Sequence, residues 1–397
     1  LRGSRGIQLI EMDEIFDLPN LPPIVPLEPT ETEDAVFIPN NLENVRIIVS
    51  IGLAIMLAVS LYWAITFVGD GGFSTARPTA SALEIQESYS NMVQFNQVDL
   101  DGAGVSVCIV DSGIDLSHPD LSGLTLSGWS DFINQESEPY DDNGHGTSMA
   151  GILVANGWMK GIAPGVDLFI AKALDGVNGQ GSDEIVAQAI DWCVAQNVNI
   201  ISLSLGGAPG ILPFNPFSGR DSGDAANDAI NQGIVVVAAA GNDGGPGDDG
   251  DVAHPSSEQL VISVGGVNTD SDHWEGSSIG DNNGNLFPLI LPRQDPNKKP
   301  EIVAPAELVP VINNQNSWSL VDGTSAATVF VTGAIALLFE EHPQLSSNGQ
   351  GDSNSVVQVK QLIVNSVKPD EGQEGHDDNY GYGLLQIKDL IIAAESL

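Results

Sequence analysis

Short apolar runs that recur between helical stretches constrain the fold of this chain more than any other feature. The runs VSVCIV, VDLFIAKAL, VNIISLSL, IVVVAAA and LVISVGG are rich in Val and Ile, and several end in Gly or Asp. Residues 182–196 and 224–232, which lie between runs, have helical spacing. Alternating strands and helices predict a parallel sheet covered on both faces, here an α/β domain of three layers (α/β/α) over residues 101–397. Functional side chains in such folds gather at the carboxyl ends of strands.

A second feature is an uncharged segment over residues 47–68, which reads IIVSIGLAIMLAVSLYWAITFV. Its length suffices to cross a bilayer as a helix, so we predict a single transmembrane helix that associates with the membrane. Tyr62 and Trp63 lie near one end, where an interfacial aromatic belt is expected. A buried core helix is the alternative interpretation, although core helices of this length usually keep a polar stripe.

The segments on either side of this span differ in composition. Residues 1–46 are acidic and rich in Pro, which predicts a disordered tail. Residues 69–100 begin with Gly, Ser, Thr and Pro and are predicted to be a linker that ends in a short helical or coil stretch. Three arginines precede the span and one follows it closely: Arg2, Arg5, Arg46 and Arg77. The positive-inside rule then places the N-terminus in the cytoplasm and the large domain outside it.

The charge balance limits the classes of partner. Lys and Arg total 13 against 53 Asp and Glu, a formal net charge of −40. Such a surface repels phosphates, so we expect no nucleic-acid partner. It favours solubility and adaptation to salty surroundings, and it can attract cationic peptides.

The chain has two cysteines, Cys108 and Cys193, each within an apolar run. The simplest interpretation is that each is a small buried hydrophobic residue. A disulfide between them is the alternative, since oxidation is favoured outside the cytoplasm.

Three segments carry residues for nucleophilic catalysis, in the order Asp, His, Ser. Asp111 ends an apolar strand in VCIVDSGIDL, His145 precedes a helix-like run in DDNGHGTSMAG, and Ser325 begins a long apolar helix in DGTSAATVF. A serine hydroxyl is a weak nucleophile until histidine takes its proton, and a carboxylate orients the imidazole. Asn242, which follows the strand IVVVAAA, has a side-chain amide able to donate to a developing oxyanion.

These four segments resemble those of the subtilisin family of serine peptidases (subtilases), over about residues 101–397. The resemblance implies a serine endopeptidase that cleaves peptide or protein substrates through an acyl-enzyme intermediate and requires no cofactor. It gives triad roles to Asp111, His145 and Ser325, and the oxyanion role to Asn242. SLSLGG and the end of IVVVAAAG resemble the family's substrate-binding segments, so the residues expected to bind substrate are Ser204, Leu205, Gly206, Gly207, Ala239, Ala240 and Gly241. Their small or apolar side chains favour an apolar residue before the scissile bond, and the acidic GDDGD loop favours Arg or Lys there instead.

The chain departs from the family pattern near the site. Ser148 and Met149 replace the usual His and Val of GHGTHVAG, and Ala326 replaces the usual Met after the nucleophile. A place flanking the substrate cleft is the alternative for Asp141 and Asp142, although solvated loop residues are the simpler interpretation.

No metal site is assigned from the sequence. The loop after His145 is short for the family's tight calcium loop. Calcium stays an alternative at acidic clusters, although solvated loop charge is the simpler interpretation: Asp248, Asp249 and Asp251, and Asp377 with Asp378.

Two other functions remain open. A catalytically silent subtilase fold would act as a peptide-binding module tethered to the membrane. An esterase is a minor option, although the GxSxG elbow of α/β-hydrolases is missing around Ser325.

Overall fold

The computed structural model describes residues 56, 59, 77–176, 179, 181–206, 220–248, 250–286, 289–347 and 349–395. The predicted tail (1–46) and most of the predicted span (47–68) lie outside the described residues, and both stay predictions. Among the described helices, one is long and apolar enough to cross a bilayer, Thr324–Glu341, and 89% of it is buried inside the domain. That helix belongs to the core.

Seven parallel strands form the central sheet, in the order β2-β3-β1-β4-β5-β6-β9. They are β1 (Ser106–Asp111), β2 (Gly128–Asp131), β3 (Asp167–Lys172), β4 (Ile200–Leu203), β5 (Val235–Ala239), β6 (Ile262–Val267) and β9 (Ile302–Pro305). Every residue of β4, β5, β6 and β9 is buried, because helices and loops cover both faces. This confirms the predicted parallel α/β domain.

Seven α-helices are described. They are α1 (Ala80–Met92), α2 (His145–Val154), α3 (Asp183–Ala195), α4 (Ser222–Asn231), α5 (Thr324–Glu341), α6 (Ser353–Ser366) and α7 (Ile387–Ala394). Helices α2 and α5 pack against each other and the sheet, and α3 and α4 do the same. Helix α5 is apolar nearly all round because it contacts β4, β5, β6, β9 and α2.

Two short hairpins accompany the sheet. Strands β7 (Asn285–Leu286) and β8 (Leu289–Ile290) form one, and β10 (Val309–Asn313) and β11 (Ser317–Val321) form the other. The β10–β11 hairpin is antiparallel, with Val309 opposite Val321 and Asn313 opposite Ser317. Its base leads directly into α5, and its tip lies beside the start of α2, where Asn314 donates to the carbonyl of Asp141.

The second half of the predicted linker holds two helices that pack on the domain, α1 (Ala80–Met92) and a 3₁₀ helix (Phe95–Gln97). Helix α1 is capped by Thr79, whose hydroxyl accepts the N–H of Ala82. Tyr89 is buried, and its hydroxyl donates to the carbonyl of Glu307. The N–H of Ile387 donates to the carbonyl of Val93 at 2.9 Å. The compact domain therefore begins before residue 101.

The two cysteines are bonded to each other. A disulfide joins Cys108 in β1 to Cys193 in α3, and both residues are fully buried. The alternative of a cross-link thus replaces the simpler interpretation of two free, buried thiols, because the strand and the helix that covers it bring the sulfurs together.

A cluster of three buried charged residues lies at the amino ends of β6 and β9. Lys299 Nζ and Lys360 Nζ lie 3.0 and 2.6 Å from the same oxygen of Glu301, and all three side chains are fully buried. Burial disfavours the charged form and Lys360 adds repulsion, so the pKa of Lys299 falls to about 7 despite the attraction of Glu301. No local sequence pattern predicts this cluster, because Lys360 lies about 60 residues along the chain from the other two residues.

Candidate active site

Asp111 is placed by the end of a buried strand. It is the last residue of β1, it is fully buried, and its Oδ1 accepts the N–H of Ser112 at 2.7 Å. The same oxygen lies 2.7 Å from Nδ1 of His145. Because β1 lies between β3 and β4 in a parallel sheet, Asp111 opens onto the carboxyl edge, as the sequence predicts.

His145 is the first residue of α2, and glycines on both sides allow that position. Gly144 has φ +99°, which an L side chain rarely adopts. A Cβ at Gly146 would lie 2.2 Å from the carbonyl oxygen of Gly113. The GHG sequence therefore lets the helix start press against the loop that follows β1, within reach of Asp111.

Asp141 organises this helix start. Its Oδ1 accepts from Ser112 Oγ at 2.9 Å and from Gly144 N at 2.8 Å, and its Oδ2 accepts from Thr147 N and Oγ1 at 2.8 and 2.6 Å. Burial alone would raise its pKa, but these hydrogen bonds hold the pKa below its ordinary value. The interpretation of Asp141 as a solvated loop residue is wrong, because the loop folds its carboxylate inward.

Two carboxylates determine the basicity of His145. Burial disfavours the imidazolium, but Asp111, through its charge and its hydrogen bond, and the charge of Asp141 outweigh that cost. The pKa of His145 is therefore raised above its ordinary value of 6.5. Its side chain is 34% exposed, so the ring remains open to the cleft.

Ser325 lies in the first turn of α5. Its hydroxyl donates to the carbonyl of Ser204 at 2.9 Å, and the Ser204 hydroxyl donates back to the carbonyl of Ser325 at 3.0 Å. Asn242 Oδ1 accepts from both N and Oγ1 of Thr324 at 2.9 Å. This contact fixes the amide group of Asn242, so that its Nδ2 is the end left to donate.

One cleft of about 440 Å³ brings the predicted catalytic residues together. His145, Asn242 and Ser325 line it, together with the tip of the β10–β11 hairpin. A carboxylate–imidazole pair, a serine at a helix start and a fixed amide donor are the groups that acyl transfer needs.

Comparison with known proteins decides the family. The model of the subtilase family matches residues 102–383. This chain belongs to the subtilase family.

Relatives and solved structures agree with that membership. This subtilase is 32% identical over 291 residues to Subtilisin NAT of Bacillus subtilis subsp. natto, covering 72% of this chain and 65% of that protein, slightly less than two thirds of its length. It is 30% identical over 334 residues to the serine protease AprX of Bacillus subtilis, covering 77% and 70%. The structure of a cold-adapted subtilisin-like serine proteinase shares the fold, with a TM-score of 0.56 at 22% identity over 73% of this chain and 90% of that one.

Six of the seven residues predicted to bind substrate are described. Ser204–Gly206 follow β4, and Ala239 ends the neighbouring β5, so the two segments lie side by side at the carboxyl edge. Gly241 N donates to Thr324 Oγ1 at 3.2 Å, which ties this edge to the start of α5. Gly207 lies outside the described residues.

A buried lysine, Lys172, lies next to the catalytic edge of this subtilase. Lys172 ends β3 opposite Asp111, is fully buried, and donates to the carbonyls of Ser112 and Leu174 at 2.6 and 3.1 Å. It also contacts Asp142 Oδ1 at 2.6 Å. The sequence signal for this residue is a lysine at the end of an apolar strand, in the segment KAL.

The carboxylates considered for calcium have other partners. Asp251 pairs with Arg293 at 2.7 Å, Asp377 accepts two backbone N–H groups, and Asp378 accepts from Asn282 at 2.7 Å. Asp249 lies outside the described residues. Across the described part of the chain, one group has metal-ligand spacing, Asp183, Asp221 and His254, and His254 Nε2 already accepts the N–H of Gly223.

Proposed function

We propose that this subtilase is a membrane-anchored serine endopeptidase that hydrolyses peptide bonds through Asp111, His145 and Ser325. The observation that carries the proposal is the 2.7 Å contact of Asp111 with His145, in a cleft that Ser325 and Asn242 also line. The buried carboxylate of Asp111 holds Nδ1 of His145, and the exposed side of the ring leaves Nε2 free to react with substrate.

The reaction follows from these positions. His145 Nε2 takes the proton of Ser325 Oγ, which leaves its contact with the Ser204 carbonyl and attacks the substrate carbonyl carbon. Asn242 Nδ2 and the backbone N–H groups at the start of α5 stabilise the oxyanion. His145 then returns the proton to the leaving amine, the C–N bond breaks, and an acyl-enzyme on Ser325 remains. Water, activated by the same imidazole, releases the acid product.

A fluorophosphonate probe tests the nucleophile. The full chain in detergent is treated with the probe, and a Ser325→Ala variant with an unchanged circular dichroism spectrum is the control. We expect labelling of the wild type and none of the variant. A folded wild type that is not labelled at low or high salt would instead support the silent peptide-binding module.

The membrane anchor is supported by the 22-residue uncharged segment at 47–68 and by the arginines that precede it. The topology is tested in intact cells with a membrane-impermeant maleimide, because the two native cysteines are joined to each other. We expect labelling of Ser122→Cys, on the exposed surface of the domain, and no labelling of Ser4→Cys until the cells are opened. Labelling of Ser4→Cys alone would reverse the proposed orientation.

A further inference from the structure

The cleft extends from Ser325 away from the segments predicted to hold the acyl part of the substrate. Apart from the oxyanion donor Asn242, its described lining residues come from the start of α2, the β10–β11 hairpin and the start of α5. None of Ser204–Gly206 or Ala239–Gly241 is among these described residues. Because the acyl part and the leaving group lie on opposite sides of the attacked carbonyl, this cleft faces the leaving group.

Small side chains leave space in the part of the cleft that faces the leaving group. Ser148 and Ala326 line the cleft at positions where the family pattern has His and Met, and Met149 lies beside them. The Ser148 hydroxyl is turned away from the cleft, since it donates to the carbonyl of Ile312 at 2.7 Å. A cleft of about 440 Å³ accepts a long side chain, since small-molecule pockets span roughly 300–1,000 Å³.

The charge of the cleft is negative. Among its described lining residues, Asp322 is the one carboxylate and there is no Lys or Arg. Asp322 Oδ1 accepts the N–H of Leu308 at 2.6 Å, which fixes the side chain at the base of the hairpin. The rest of the rim offers neutral amides: Asn143, Asn313, Asn314 and Gln315. The net charge of −40 adds long-range attraction for cations.

We propose that this cleft selects Lys or Arg as the first residue after the scissile bond (P1′), with Asp322 as the specificity-determining residue. The aliphatic stem of the P1′ side chain packs on Val321 and Ala326, and its cationic head lies against Asp322 and the rim amides. This rests on the proposed peptidase function and adds a substrate class to it.

Peptides that differ only at P1′ test the selection. With Arg, Lys, Ala or Glu at P1′ and one common acyl-side sequence, we expect the cationic peptides to have kcat/KM about fivefold above the Ala peptide, the upper range for a partly exposed ion pair. The Glu peptide should be the slowest. Equal rates for Arg, Ala and Glu would overturn the proposal.

Two variants separate Asp322 from the overall charge. Asp322→Asn keeps the acceptor for Leu308 and removes the charge, so the Arg-to-Ala ratio should fall close to one. Asp167→Asn removes the same charge at the amino end of β3, the opposite edge of the sheet, and should keep the wild-type ratio. A ratio that survives Asp322→Asn, or falls equally in both variants, would assign the preference elsewhere.

Binding without turnover separates this proposal from the peptidase function. Affinities of the same peptides for the Ser325→Ala variant, measured by fluorescence anisotropy, should show the same order of Arg over Ala over Glu. An anilide substrate, which has no P1′ residue, reports catalysis in the wild type. Selective binding without anilide hydrolysis would refute the peptidase and keep the cleft assignment, whereas hydrolysis without selective binding would do the reverse.

Discussion

Two buried carboxylates act differently on His145. Asp111 contacts its Nδ1 directly and fixes which nitrogen faces the cleft. Asp141 acts through its charge and through the hydrogen bonds that hold Gly144 and Thr147. Removing Asp111 would change both the orientation and the pKa of the His145 imidazole. Asp141 instead determines where α2 begins, through its hydrogen bonds.

The raised pKa of His145 predicts the acid limb of the pH profile. A protonated imidazole cannot accept the Ser325 proton, so activity is lost as pH falls through the pKa of His145. Because both carboxylates raise that pKa, we expect the acid limb of kcat/KM to have its midpoint above 6.5. Initial rates across pH 5 to about 9 on one peptide check this. A midpoint at or below 6.5 would show that burial outweighs the carboxylates.

Local motifs explain why some of the site could be read from the sequence. Asp111, His145, Asn242 and Ser325 each lie in a short segment whose neighbours have a fixed local role, such as the glycines beside His145. Residues whose role depends on distant loops were missed. The carbonyl of Asp141 accepts from Asn314, 173 residues away, and no local pattern encodes that contact.

At the scale of elements, the disulfide links a central strand to a covering helix. It joins β1, which carries Asp111, to α3, across 85 residues of sequence. The intervening segment includes β2, α2 and β3, so the cross-link restricts the unfolded chain over much of the catalytic half.

Removing this link should cost stability. For a closed loop of 85 residues, chain entropy predicts a loss of about 4.6 kcal/mol in the free energy of unfolding. Urea denaturation of Cys108→Ala/Cys193→Ala in the Ser325→Ala background measures the loss without autolysis. Wild-type side chains refolded under reducing conditions give a control that keeps the packing of both sulfurs. An unchanged midpoint, with two free thiols in the native protein by mass spectrometry, would contradict the cross-link.

The predicted linker shows what local sequence can and cannot predict about an element. The sequence indicates a short helical or coil stretch before residue 101, but it gives no sign of what that stretch contacts. The hydroxyl of Tyr89 and the carbonyl of Val93 bond to residues more than 200 positions away. The local sequence indicates that a helix forms. Where that helix packs depends on surfaces formed by the rest of the chain.

At the scale of the whole molecule, the surface is more acidic than the composition indicates. Lys172, Lys299 and Lys360 are fully buried, and the chain has 13 Lys and Arg in all. Lys299 and Lys360 share the buried carboxylate of Glu301, and Lys172 contacts the exposed carboxylate of Asp142, so these three lysines add no cationic side chain to the surface. Composition alone predicted the sign of the surface charge, but it could not show that these three lysines are buried.

Self-repulsion of this surface predicts stabilisation by salt. The Debye length falls from about 10 Å at 0.1 M to about 3 Å at 1 M. We expect the Tm of the Ser325→Ala variant to rise by about 5 °C or more over that range of NaCl. Calorimetry up to about 3 M separates the causes, since screening saturates near 1 M while salting-out keeps growing. A flat or falling Tm below 1 M would show that repulsion does not limit stability.

The β10–β11 hairpin meets the catalytic edge through one main-chain acceptor, the carbonyl of Ile312, and one side-chain donor, Asn314 Nδ2. Ser148 donates to the carbonyl of Ile312, and Asn314 donates to the carbonyl of Asp141. A main-chain acceptor survives most substitutions of the residue that carries it. The turn between Asn313 and Ser317 is thus an exchangeable cassette around one fixed position: a lineage or an engineer can rewrite it while Asn314 stays to hold the loop before His145, and the attacking machinery is inherited unchanged.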